Sequence, residues 1–216
     1  MNESLPEYDD VADVVRDHVR EQPVYCVYPD VYRRGARDFV TAFPGRVLYA
    51  VKANSHPAVL RALADGGVSH FDCASLPEVE LARRVAPDST CCFMTPVRLR
   101  GAASAAFRQH GVRHFLVDHA SGLAPLLAEI GASRAVIFAR MAVHHESAMA
   151  DLSVRFGAPP EDIPALLAAI RDAGAEPALA FNVGSNVVSP DAYRHSIGVA
   201  RDVLSSLPFR VRLVDI

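Results

Sequence analysis

The sequence predicts an α/β fold: a (β/α)8 barrel of TIM type that breaks off after about seven strands. Three observations carry this expectation. One unit recurs along the chain, an amphipathic helix, then Gly, then a short β-rich run. The strand-like runs are almost continuously apolar, which requires cover on both faces. Their carboxyl ends carry polar residues, and a parallel barrel gathers all of those ends on one face. The first strand-to-helix turn has no G-x-G-x-x-G, so a dinucleotide-binding open sheet has no support.

The elements follow in order. Gly66 and Gly67 precede Val68-Ser-His-Phe-Asp-Cys73, and Gly111 precedes Val112-Arg-His-Phe-Leu-Val117. Gly131 precedes Ser133-Arg-Ala-Val-Ile-Phe138, and Gly174 precedes Pro177-Ala-Leu-Ala-Phe181. Gly just beyond a helix takes the left-handed position cheaply. Leu123, Leu126, Leu127 and Ile130 fall at helical spacing, as do Ile163, Leu166, Leu167 and Ile170. Asp118 is the expected cap of the first of these helices. Ser75-Leu-Pro-Glu78 reads as a capping box with Pro in the first turn, and Ser189-Pro190-Asp191 opens the last helix. Strands are expected to start near residues 47, 68, 90, 112, 135, 178 and 211. Residues 1–22 read as an N-terminal extension with a helix, and 23–216 as one barrel domain. Seven strands leave the cylinder open with apolar edges, so the chain alone is expected to aggregate.

Composition narrows the function classes. The 216 residues are 50% hydrophobic, with 22 basic and 25 acidic side chains and a net charge of −3. No basic run tracks a phosphate backbone, so nucleic acid is not an expected partner. No stretch is long and apolar enough for a membrane span, and the acidic start, Met1 to Asp10, is no signal or transit peptide. A cytoplasmic location is the expectation. Cys26, Cys73, Cys91 and Cys92 sit in apolar runs without C-x-x-C spacing, so they read as reduced core residues rather than metal ligands. His144-His145-Glu146 reads as loop; no metal site is expected there.

Lys52 is the most informative residue. It closes the apolar run Arg46-Val-Leu-Tyr-Ala-Val51. A Lys at a strand's carboxyl end is a recurrent device for holding a carbonyl cofactor, although most such Lys residues are only solvated. Asp72, Arg140 and Asn182 also end apolar runs, and Asp215 does so near the chain end. A barrel would bring all five to one mouth.

The motifs then become specific. Tyr49-Ala-Val-Lys-Ala-Asn54, Phe71-Asp-Cys-Ala-Ser75 with Glu78, Leu152-Ser-Val-Arg-Phe-Gly157 and Phe181-Asn-Val-Gly-Ser185 occur in this order. Together they resemble the barrel domain of the pyridoxal-phosphate-dependent ornithine/diaminopimelate/arginine decarboxylases, of the alanine-racemase-like barrel class. The likeness runs from about Pro23 to Ile216. It implies pyridoxal 5′-phosphate as cofactor and an amino acid as small-molecule substrate, with a homodimer for the full-length family. Lys52 matches the Schiff-base lysine, and Asp72 an acidic neighbour that tunes it. Arg140 matches an Arg beside the cofactor. Gly184, through its amide, and Ser185 match part of the phosphate cradle. Glu78 matches a family residue, but the capping box already explains it. Arg155 stands where many relatives carry Lys.

Two departures follow from the same resemblance. Asn182 stands where the family usually has a His that stacks on the pyridine ring. Relatives also continue past Val-Asp-Ile with a Gly-rich phosphate loop, a Glu for the pyridine nitrogen and a β-domain, so this chain resembles an N-terminal portion. The leading expectation is decarboxylation of a basic, ornithine-like amino acid, completed by that missing half. The alternatives are a non-catalytic, regulatory decarboxylase homologue, or a racemase or cofactor carrier of the same barrel class.

Overall fold

A computed structural model describes residues 5–17 and 23–216. The expected N-terminal extension therefore lies partly outside the described residues; within it, α1 spans Val11–Asp17. Seven strands form one parallel sheet: β1 Leu48–Ala50, β2 His70–Cys73, β3 Thr90–Phe93, β4 His114–Val117, β5 Val136–Met141, β7 Glu176–Phe181 and β9 Val214–Asp215. They lie in that order across the sheet, and β1 and β9 each pair on one side only. The helices α2 Pro29–Ala42, α3 Pro57–Asp65, α4 Leu76–Val85, α5 Ala102–Gln109, α6 Ala120–Ile130, α7 Ile163–Asp172 and α8 Asp191–Ser205 intervene. The fold is a curled, open part of a (β/α) barrel, as the alternation predicts.

Strand alternation sorts the side chains into two layers. Phe71, Cys73, Phe93, Phe115, Ile137 and Leu179 point to the helices and belong to one continuous core. Leu116, Phe138, Ala178 and Ala180 point to the other face and form a separate small cluster, against which Met94 and Val136 pack. The register places Leu116 beside Phe138 and Phe138 beside Ala178. The small Ala residues on β7 leave room for the Phe ring, so the inner layer fills by alternating sizes.

Local signals mostly act as expected. Ser75 Oγ accepts from the Glu78 N–H at 3.4 Å. Glu78 Oε2 reaches back to the Ala74 N–H at 2.7 Å, one residue beyond the usual capping-box partner. The Leu and Ile residues picked by helical spacing on α7 are all buried, as are Leu123, Leu126 and Ile130 on α6. Three expectations need correction. The cap of α6 is His119, whose Nδ1 accepts from the Ser121 N–H at 3.1 Å, and not Asp118. Cys26 is exposed, because residues 23–28 form no element that could bury it, whereas the other three cysteines are buried. The last strand is two residues long and starts at 214 rather than 211, since only Val214 and Asp215 find partners on β7.

The structure adds one element that the sequence did not announce. β6, Ala148–Ala150, pairs antiparallel with β8, Ser185–Val187, as a small ribbon beside the main sheet.

At the amino ends of the strands an exposed arginine meets two partly buried imidazoles. Arg46 Nη1 lies 3.2 Å from His70 Nε2, and Ser69 Oγ lies 2.9 Å from His70 Nδ1. Burial and the Arg46 charge push His70 below the usual imidazole range. His114 is pushed down by burial, His70 and Arg46, with Glu176 opposing. Its Nδ1 is buried without a partner. This end therefore reads as a neutral-imidazole plug rather than a site.

An apolar groove of about 790 Å³ runs along the open edge, lined by Phe181, Ile197, Leu204, Phe209, Val214 and Ile216. Ile197, Val214 and Ile216 are each close to half exposed. A contiguous apolar surface beside an unpaired strand edge promotes association. Size-exclusion chromatography of the 216-residue chain should therefore show oligomers or void-volume material. A sharp monomer peak with a cooperative melt would contradict this.

Candidate functional site

The carboxyl ends of the strands gather the polar residues that the sequence singled out. Lys52 lies just beyond β1, in the 3-10 turn Val51–Ala53, with its side chain exposed. The register aligns Ala50 with Asp72, and Asp72 with Cys92, so β1 hands Lys52 to the neighbourhood of the β2 carboxylate. Arg140, near the end of β5, aligns with Ala180 of β7, which aligns with Asp215 of β9. Asn182 follows β7 directly and is exposed.

The electrostatics show that these groups sense one another. Burial pushes the Asp72 carboxyl up to about 6, opposed by the Lys52 charge; Asp215 and Glu78 add to the rise and Arg140 opposes it. Burial likewise pushes Asp215 up to about 6, with Arg140 opposing. Arg140 is itself lowered by burial, while Asp118, Asp72 and Asp215 hold its charge in place. Cys92 is pushed far up by burial, then by Asp215 and Asp72. A carboxyl shifted by burial together with specific charged neighbours is a candidate functional group.

Two groups beside Arg140 were not expected at the mouth from the sequence: Asp118, which read only as a helix cap, and Phe156. The Phe156 ring lies under the Arg140 guanidinium at 5.0 Å. Gly157, next in the chain, has φ +99° and donates its N–H to Asp118 Oδ2 at 3.3 Å. The Leu152-to-Gly157 motif thus delivers an aromatic face to Arg140 and ties the β4 loop to the β5 loop. Strand ends flagged Asp215 as polar, but no local pattern pairs Phe156 or Asp118 with Arg140.

The expected phosphate cradle has a different local arrangement. The Gly184 N–H donates to Asn182 Oδ1 at 2.9 Å, an Asx-type turn. Ser185 is exposed and begins β8. In the adjoining loop His144 Nδ1 lies 2.6 Å from Asp151 Oδ2. Among the described residues no group of three or more His, Cys, Asp or Glu is placed to hold a metal ion, and no helix is long and apolar enough to cross a membrane. Arg155 is exposed.

Comparison with known proteins gives the same assignment as the motifs. Residues 30–213 match the family described as pyridoxal-dependent decarboxylase, pyridoxal binding domain. The chain is 38% identical over 158 residues to a lysine/ornithine decarboxylase of Selenomonas ruminantium, covering 72% of this chain and 39% of that protein. It is 30% identical over 214 residues to an antizyme inhibitor 2 of Xenopus laevis, covering 96% of this chain and 42% of that one. The fold superposes on the arginine decarboxylase of Paramecium bursaria Chlorella virus with a TM-score of 0.86, at 22% identity, over 95% of this chain and 57% of the other. The chain therefore spans about two fifths of the length of these curated relatives. Members of this family are pyridoxal-phosphate-dependent amino-acid decarboxylases, and the chain belongs to it through its pyridoxal-binding barrel domain.

Proposed function

We propose that this chain is the cofactor-holding domain of an enzyme that removes the carboxyl group of a basic, ornithine-like amino acid to give an amine. One observation carries the proposal: at the carboxyl ends of the parallel strands an exposed Lys52 acts on Asp72, and Arg140 acts on both Asp72 and Asp215, two carboxyls pushed up to about 6. The donor set suits pyridoxal phosphate. Lys52 supplies the amine for the aldehyde carbon, and the Ser185 hydroxyl with the Gly184 turn offers donors for the phosphate. When bound, the cofactor supplies an electron-accepting ring for the pair left by the departing carboxyl group.

The chain's own residues do the rest. Asp72 and Asp215 can each keep a proton on Oδ in part of the population near neutral pH, next to the Lys52 and Arg140 charges. Phe156 and Asp118 keep Arg140 aimed at the mouth. Bringing in the substrate, and the homodimer expected for the whole protein, belong to the same proposal.

Absorbance tests it. Added pyridoxal phosphate should give a new band near the edge of the visible, and Lys52→Ala should abolish it. Absence of a band in the wild-type chain would reject the cofactor role of Lys52. A second reading, a non-catalytic homologue, is favoured by the Asn182 side chain engaging the Gly184 amide. It predicts no band and no dependence on Lys52.

A further inference from the structure

The turn after β7 is held from two sides. Asn182 Oδ1 accepts the Gly184 N–H at 2.9 Å. The ribbon presses from the other side: a Cβ added at Gly184 would lie 2.5 Å from Ala148 Cβ and 2.9 Å from the Ala150 carbonyl oxygen. β8 starts immediately afterwards, with Ser185 opposite Ala150 and Val187 opposite Ala148. The Val188 N–H continues the pairing to the Ser147 carbonyl at 3.2 Å. The turn can shift little, so the free choice left to it is the Asn182 side chain. Asn182 is exposed and carries no other hydrogen bond among those the structure shows.

We propose that Asn182 is a selectivity-determining residue of the phosphate end of the site, competing with an incoming phosphoryl group for the Gly184 N–H. This rests on the cofactor reading above. A backbone N–H makes a stronger bond to an anionic oxygen than to a neutral amide oxygen, so a phosphoryl group can displace the side chain, but at reduced affinity. Unphosphorylated pyridoxal makes no such demand. Asn182 therefore narrows the preference for the phosphorylated vitamer instead of adding to ring binding.

The dissociation constants of pyridoxal phosphate and pyridoxal, followed by absorbance or fluorescence, test this. Asn182→Ala should tighten pyridoxal phosphate about fivefold, the value of one released neutral hydrogen bond, and leave pyridoxal unchanged. Asn182→Asp should weaken pyridoxal phosphate at least tenfold and pyridoxal much less, because a carboxylate holds the N–H harder and repels the phosphate. Equal weakening of both vitamers in Asn182→Ala would show that the amide supports the ring, and would overturn the proposal. Inorganic phosphate separates it from the cofactor reading. In amide NMR, phosphate should shift the Gly184 signal more in Asn182→Ala than in wild type. If neither vitamer binds the wild type, the cofactor reading fails, yet that phosphate response still supports competition at Gly184. No Gly184 response in either protein overturns it.

Discussion

Replacing Gly157 with Ala is expected to destabilise the chain by about 2–5 kcal/mol, through two separate costs. A non-Gly residue at φ +99° costs about 1–2 kcal/mol. The new methyl would also stand 2.6 Å from the Ala142 nitrogen and 2.8 Å from its Cα. Those are backbone atoms held by the ladder beyond β5, where the Ala142 N–H donates to the Ala158 carbonyl and the Ala158 N–H to the Arg140 carbonyl, both at 2.8 Å. Overpacking against such atoms costs about 1–3 kcal/mol. The sum is a large share of a total stability of about 5–15 kcal/mol. Phe156→Leu is the control. It removes the ring under Arg140 and should cost only about 1 kcal/mol. Urea unfolding of both variants measures the difference. Equal midpoints for Gly157→Ala and wild type would mean that the loop does not close on Ala142 in solution.

The second large effect concerns pH. Asp72 and Asp215 both sit near 6 instead of the ordinary 3.8. A carboxyl raised on folding adds stability that is fully present below its unfolded value and is lost as pH rises through the folded value. Above about pH 6 both groups are therefore ionised against their environment. The displacement corresponds to at most about 3 kcal/mol each, and solvent at the mouth reduces it to about 1–2 kcal/mol. Asp72→Asn and Asp215→Asn should each unfold at higher urea than wild type at pH 8, and the advantage should vanish near pH 4. Because Asp215 also raises Asp72, the double variant should gain less than the two singles together. The depressed His70 and His114 act in the opposite sense, losing stability as pH falls through the imidazole range. That contribution is common to wild type and variants and cancels in the comparison. Asn variants no more stable than wild type at pH 8 would show that the two carboxyls are well solvated.

What the sequence determined by itself was whatever a short window or a fixed period encodes. Leu166 and Ile170 show α7 by spacing, Ser75 and Glu78 show the start of α4, and the almost continuously apolar runs of β2 to β5 show strands covered on both faces. The position of Lys52 after an apolar run sets it at the carboxyl end of β1. Tertiary structure decided how those pieces act on one another. Asp118, Phe156 and Asp215 reach Arg140 from three separate segments, and three-residue β6 finds β8 across the whole of α7 and β7. Asp118 looked like a cap in its own window, yet its carboxylate accepts from Gly157 and leaves the cap to His119. The sequence set Asn182 only at a family position, and the fold adds that its side chain accepts the Gly184 N–H. Desolvation and charge act through space, and the partner that sets a carboxyl's proton affinity or occupies an amide is chosen by folding, not by neighbours in the chain.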